Sequence, residues 1–115
     1  MDDAHAWDLE QRLWLEGLDT YRKLLDEQCI MAFPAPVGLM RVPSIIDSLE
    51  SAPRWDRVIM AERSVGRPAH GCLVLGYCAE GYRAGTKPYG AYCTSTYCDT
   101  GAGWKLVQHQ QTPIE

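Results

Sequence analysis

Apolar residues follow two different periodicities along the chain. In the first third the spacing is helical. Leu9 and Leu13 lie four residues apart, Ala6 falls about one turn earlier, and Trp7 and Trp14 flank the stripe. Asp8, Glu10, Gln11 and Arg12 are assigned to the wet side of this helix. Asp2 or Asp3 caps its start, and Gly17 ends or bends it. Asp19 then caps a shorter helix whose apolar face is Leu18, Tyr21, Leu24 and Leu25. Residues 29–33 read as a strand cut short by Pro34 and Pro36, and 37–42 as a second short strand. Pro43 and Ser44 open a small helix with Ile45, Ile46 and Leu49 facing the core. Ser44 and Asp47 imitate a capping box, and Ala52-Pro53 stops the helix.

From Trp55 onward the spacing changes to long strands: 57–65, 72–82, 89–98 and 104–113. Gly66-Arg67-Pro68, the run 81–87 and Asp99-Thr100-Gly101-Ala102-Gly103 supply turn chemistry between them. Short connections make neighbouring strands antiparallel. Helices first and a meander afterwards give an α+β class. The last strand carries Trp104, Leu106, Gln108 and Gln110 on one face and Lys105, Val107, His109 and Gln111 on the other. Lys105 resists burial, so the first face is expected inward. It would run from an apolar core into a polar-tipped cavity.

At 115 residues the chain is expected to be one domain, 1–115. A net charge of −4 with no Lys/Arg cluster argues against a nucleic-acid partner. The acidic start, Met1-Asp2-Asp3-Ala4-His5, does not read as a signal peptide, and no apolar run reaches membrane-spanning length. The expectation is a cytoplasmic protein without a membrane partner. Cys29, Cys72, Cys78, Cys93 and Cys98 are odd in number and contain no Cys-x-x-Cys pair. They read as free thiols, with no metal and no cofactor implied.

Several words in the chain resemble the SnoaL-like branch of the nuclear transport factor two superfamily, including its uncharacterised bacterial members. They are Leu13-Trp14 with Gly17 and Tyr21, then Cys29-Ile30-Met31-Ala32-Phe33-Pro34, Ser48-Leu49 and Pro53-Arg54-Trp55. Tyr92 with Ser95, Tyr97, and the closing run 104–113 complete the set. The resemblance implies a cone-shaped α+β barrel, with N-terminal helices packed on a strongly curved, mostly antiparallel sheet. It also implies a pocket inside the cone and a homodimer formed through sheets. Relatives include ketosteroid isomerase-like enzymes, polyketide cyclases, dehydratases, epoxide hydrolase-like enzymes and non-catalytic modules, so the fold does not choose a chemistry.

General-base work in such a cone needs a buried carboxylate or a His–carboxylate pair. Glu62, mid-strand with Val58 and Met60, is the first candidate if its face is inward. Asp56 at a strand start and His109 follow, each with a plain reading as an exposed group. Met31, Phe33, Trp55, Tyr77, Tyr92, Ser95, Gln108 and Gln110 are the candidate ligand-binding residues, with Gln108 expected to project into the cone. Val107, His109 and Gln111 are expected near the dimer contact. Two functions stay open: a domain that binds, and in some form processes, a small hydrophobic molecule with a polar group, or a non-catalytic dimerisation or partner-binding module.

Overall fold

The computed structural model describes residues 1–114. Helix α1 (Asp3–Leu15) begins where the Asp2 carboxylate accepts a hydrogen bond from the His5 N–H at 2.8 Å. After it come α2 (Leu18–Leu24), β1 (Leu25–Phe33), β2 (Gly38–Arg41), α3 (Val42–Ser48), β3 (Arg57–Ala69), β4 (Cys72–Tyr82), β5 (Tyr89–Asp99) and β6 (Trp104–Pro113). The strands form one sheet in the order β2-β1-β6-β5-β4-β3. Among the described residues, only β1 and β6 run parallel; every other pair is antiparallel. This is the expected α+β cone, with three helices on one face of a curved sheet. Among the described residues no pairing joins β2 to β3, so the sheet stays open.

Four local expectations shift. Strand β3 runs on through Gly66-Arg67-Pro68, expected as a turn, to Ala69. Strand β1 starts at Leu25, directly after α2, rather than at Cys29. Gly17, not Asp19, holds the cap position of α2. Arg41 holds that position in α3, whose Pro43 lies in the first turn, so Ser44 is inside the helix and makes no capping box.

The core lies between the inner sheet face and the helices. Leu73, Leu75, Tyr77 and Ala79 of β4 alternate inward, as do Ala91, Cys93, Ser95 and Tyr97 of β5. Ala6, Leu13 and Trp14 of α1 close over them. Among the described residues, no helix is long and apolar enough to cross a membrane.

Two bulges decide which side chains face the cone. In β6, Leu106 pairs with Tyr97 while Gln108 pairs with Thr96, so Val107 is an extra residue. The alternation reverses there. Leu106 and His109 both point inward, at 0% and 4% exposure. In β3, Ala61 pairs with Cys78 and Ser64 with Gly76, so Glu62 and Arg63 share one place opposite Tyr77. Glu62 takes a positive φ of 52° and turns to solvent, while the Arg63 guanidinium lies over the Trp7 ring at 4.9 Å.

Candidate active site

Glu10 is at the centre of the polar interior. Its exposure is 0%, although the helical pattern assigned it to solvent. One helical turn relates Ala6 to Glu10 and Glu10 to Trp14, and Leu13 lies three residues on, so all four share the buried face. Both carboxylate oxygens are used. Tyr97 donates to Oε1 at 2.7 Å, and Tyr77 and Ser95 donate to Oε2 at 2.5 and 2.6 Å. The Tyr77 hydroxyl also accepts from the Trp14 indole N–H at 3.0 Å. These donors come from the centres of β4 and β5, so the sheet core holds the charge it buries.

Burial is the largest single influence on Glu10 and pushes its carboxyl upward. The hydrogen bond of His109 and, when its ring carries a proton, its charge, with hydrogen bonds from Ser95 and Tyr77, together outweigh it. The carboxyl lies below its ordinary 4.5. Burial, then the Glu10 charge, pushes the Tyr77 and Tyr97 phenols well above 10, which keeps both as neutral donors.

His109 continues the network toward the cone. Its Nδ1 lies 2.7 Å from Ser95 Oγ and 3.5 Å from Glu10 Oε2. Ser95 has one hydroxyl hydrogen, and an ionised Glu10 takes it. Ser95 must then accept from His109 Nδ1–H. The neutral imidazole is therefore the Nδ1–H tautomer, with a lone pair on Nε2. Gln111 Nε2 lies 3.1 Å from that nitrogen and can donate to it, so a ligand that reaches Nε2 displaces this contact. The result is a relay from buried carboxylate through hydroxyl to imidazole, ending at the wall of a cavity.

The cavity has a volume of about 550 Å³ and opens between the end of α1, β1 and the 83–89 connection. Trp14, Tyr21, Phe33, Trp55 and Tyr89 give it an aromatic wall, with Met31 and His109 on its sheet side. Trp55 stacks on Tyr89 at 5.5 Å and 12°, Trp14 leans on Trp55 at 6.1 Å, and the Phe33 ring lies 5.9 Å from His109. Gly81 permits this: a Cβ there would come within 3.0 Å of the Trp55 ring and 3.3 Å of Trp14. Arg54 ties the wall to α1. It donates to the carbonyls of Leu13, Trp14 and Glu16 and to the Tyr21 hydroxyl, satisfying the helix's C-terminal carbonyls.

The candidate residues divide accordingly. Met31, Phe33, Trp55 and His109 line the cavity together. Tyr77 and Ser95 lie behind its wall on Glu10. Gln108, expected inward, lies on the outer face and bonds Thr96 at 3.1 Å, because the Val107 bulge reverses the alternation. Gln110 is there too, accepting from Thr94 at 3.0 Å, and Tyr92 is 55% exposed. For the same reason His109 and Gln111 face the cone instead of the expected outer contact. Glu62 is exposed and away from the cavity. Asp56 is exposed and accepts from the Ala84 N–H at 3.1 Å. Among the described residues, no group of three or more His, Cys, Asp or Glu is gathered as a metal site.

Neither a protein-family model nor a curated protein matches the sequence. Solved structures do. An NTF2-like protein of unknown function in nutrient uptake from Rhodospirillum rubrum superposes with a TM-score of 0.83 at 18% identity, covering 100% of both chains. The chain has the nuclear transport factor two-like (NTF2-like) fold. A candidate ketosteroid isomerase from Parabacteroides distasonis gives a TM-score of 0.81 at 18% identity, over 96% of this chain and 86% of that one. The association domain of the Caenorhabditis elegans CaMKII gives 0.74 at 14% identity, over 95% and 90%. NTF2-like folds thus include neighbours described as an enzyme and as an association module, and the site has to decide between them.

Proposed function

We propose that this NTF2-like chain binds a small apolar molecule in its cone and uses His109 Nε2 as hydrogen-bond and proton acceptor. One observation carries the reading: the relay Glu10–Ser95–His109 ends at an aromatic cavity. Hydrogen bonding fixes the imidazole tautomer, and a buried carboxylate 3.5 Å from Nδ1 stabilises the imidazolium formed when Nε2 takes a proton. The chemistry supported is proton abstraction from a carbon acid or a bound water, the step shared by isomerase, cyclase, dehydratase and hydrolase reactions. In the carbon-acid case, the proton passes from the α-carbon to Nε2 and leaves an enolate. The same proton, or one exchanged with solvent, then returns.

The test is deuterium exchange at the α-carbon of a two-ring ketone, 2-tetralone, in D₂O. The protein should accelerate exchange over buffer, and His109→Gln should remove at least about a hundredfold of that acceleration. Exchange no faster than buffer would reject the proton-acceptor role and leave a binding domain.

A second reading, association, draws on the outer sheet face. Ile30, Tyr92, Thr94, Thr96, Gln108 and Gln110 form an uncharged band there, with much of their polar capacity used within the band. We propose that two copies meet through this band, not through the expected His109 and Gln111. Light scattering should give a dimer mass at tens of micromolar (about the range in which a standard interface holds), and Thr94→Arg should give a monomer. A wild-type monomer would reject it. The five free thiols fit the expected cytoplasmic setting.

A further inference from the structure

Charge is distributed unevenly around the cavity. The protein as a whole is acidic, at −4. Yet Arg54, Arg83 and Lys87 line the cavity, and no Asp or Glu does among the described residues. Nearby carboxylates are engaged elsewhere. Glu10 lies behind the wall with both oxygens occupied, Glu16 pairs with Arg12, and Asp56 accepts from Ala84. Arg54 is held in one orientation by its Nε and one of its terminal nitrogens, and Nη1 makes no hydrogen bond among the described residues. Arg83 lies over the Trp55 ring at 4.2 Å and donates to the Pro53 carbonyl at 3.2 Å. A guanidinium fixed in this way is prepared for a carboxylate, because little of its freedom remains to be lost on binding.

Beneath this cationic rim is a second space. A cavity of about 200 Å³ extends under α3, lined by Met40, Ile45 and Leu49. It shares Tyr21, Met31, Phe33, Val37, Ala52 and Arg54 with the main cavity, so the two adjoin, the smaller forming a lobe under α3. Apart from Ser48, whose hydroxyl is given to the Ile45 carbonyl at 2.7 Å, the residues that belong to the α3 lobe alone are apolar.

We infer that the ligand class of this site is an amphipathic organic acid, with its anionic group at Arg54, Arg83 and Lys87 and its hydrocarbon part in the lobe under α3. The inference rests on the reading of the cone as a ligand site and adds the charge and shape of the ligand. The neutral aromatic wall alone would accept any apolar molecule. The rim adds a preference for an acid, and the α3 lobe adds room for a flexible or single-ring apolar tail.

The experiment is a tryptophan-fluorescence titration with octanoate, its uncharged counterpart 1-octanol, and butyrate, since Trp14 and Trp55 line the cavity. Octanoate should bind at least about tenfold more tightly than 1-octanol at low salt. That ratio should narrow in the wild-type protein as salt rises from about 10 mM to about 0.5 M. It should fall severalfold in Lys87→Gln, whose side chain is exposed, and further in Arg83→Gln/Lys87→Gln. Octanoate should also bind at least about tenfold more tightly than butyrate, at roughly fourfold per buried methylene. Equal affinity for octanoate and 1-octanol would overturn the acid preference while leaving the ligand site standing. Equal affinity for octanoate and butyrate would overturn the role of the α3 lobe. If neither octanoate nor 1-octanol binds, the cone is not a ligand site and the underlying reading fails with it.

Discussion

Replacing Glu10 with glutamine keeps the shape of the buried group and removes its charge. The two oxygens respond differently. Oε1 can still accept from Tyr97. An amide nitrogen in place of Oε2 can no longer accept from Tyr77 or Ser95. The Tyr77 hydroxyl already accepts from Trp14, so its own hydrogen loses its acceptor, at about 1–3 kcal/mol for an unsatisfied buried donor. The Ser95 bond survives by reversing, with the amide donating to Oγ and Oγ donating to His109 Nδ1. Exchanging two charge-assisted bonds for neutral ones removes about 1 kcal/mol each. Relief from burying a charge offsets part of this. The net loss is about 2–4 kcal/mol at neutral pH, a large share of a typical domain stability of about 5–15 kcal/mol. Urea denaturation measures it. Because the Glu10 carboxyl is lower folded than unfolded, its contribution is present above the unfolded value near 4.5 and is lost as pH falls through the lower folded value. Glutamine does not titrate, so the stability gap between wild type and variant should narrow on acidification below about 4.5. Nitrogen-15 NMR should also show His109 changing from the Nδ1–H to the Nε2–H tautomer. A loss below about 1 kcal/mol, or an unchanged tautomer, would refute the relay.

Gly81→Ala should cost about 1–3 kcal/mol and alter tryptophan fluorescence, because the new methyl group meets the Trp55 and Trp14 rings at 3.0 and 3.3 Å; unchanged stability and emission would mean that the wall is loosely packed. Burial pushes the Cys29 and Cys93 thiols up to about 12, so both should resist a disulfide reagent at about pH 8 in the native protein. All five cysteines should react after unfolding without reductant, and a count of three would show a disulfide.

Much of the fold was legible because alternation and helical repeat dominate the long elements. The four long strands and the buried stripe of α1 come directly from sequence spacing. The site depended on what spacing cannot show. Glu10 was assigned to solvent because carboxylates are rarely buried unless paired, and its partners, Tyr77, Ser95 and Tyr97, are 67 to 87 residues away. One signal was present: Glu10 is one turn from both Ala6 and Trp14. The inward face of β6 was chosen correctly at Leu106 and incorrectly from Gln108 onward, because a single extra residue at Val107 reverses every later side chain. No glycine or proline marks that bulge. The bulge at Glu62 is equally unmarked in sequence, and it moves a mid-strand carboxylate from candidate base to solvent.

The central claim is that the inner face of the cone, with His109 in its wall, is the ligand site. An NMR titration with 1-octanol tests this most directly. The expected result is saturable shifts of the Trp14 and Trp55 indole N–H signals and of the His109 ring, with Thr96 and Gln108 on the outer face unmoved. Shifts confined to the outer face, or none at any attainable concentration, would contradict it.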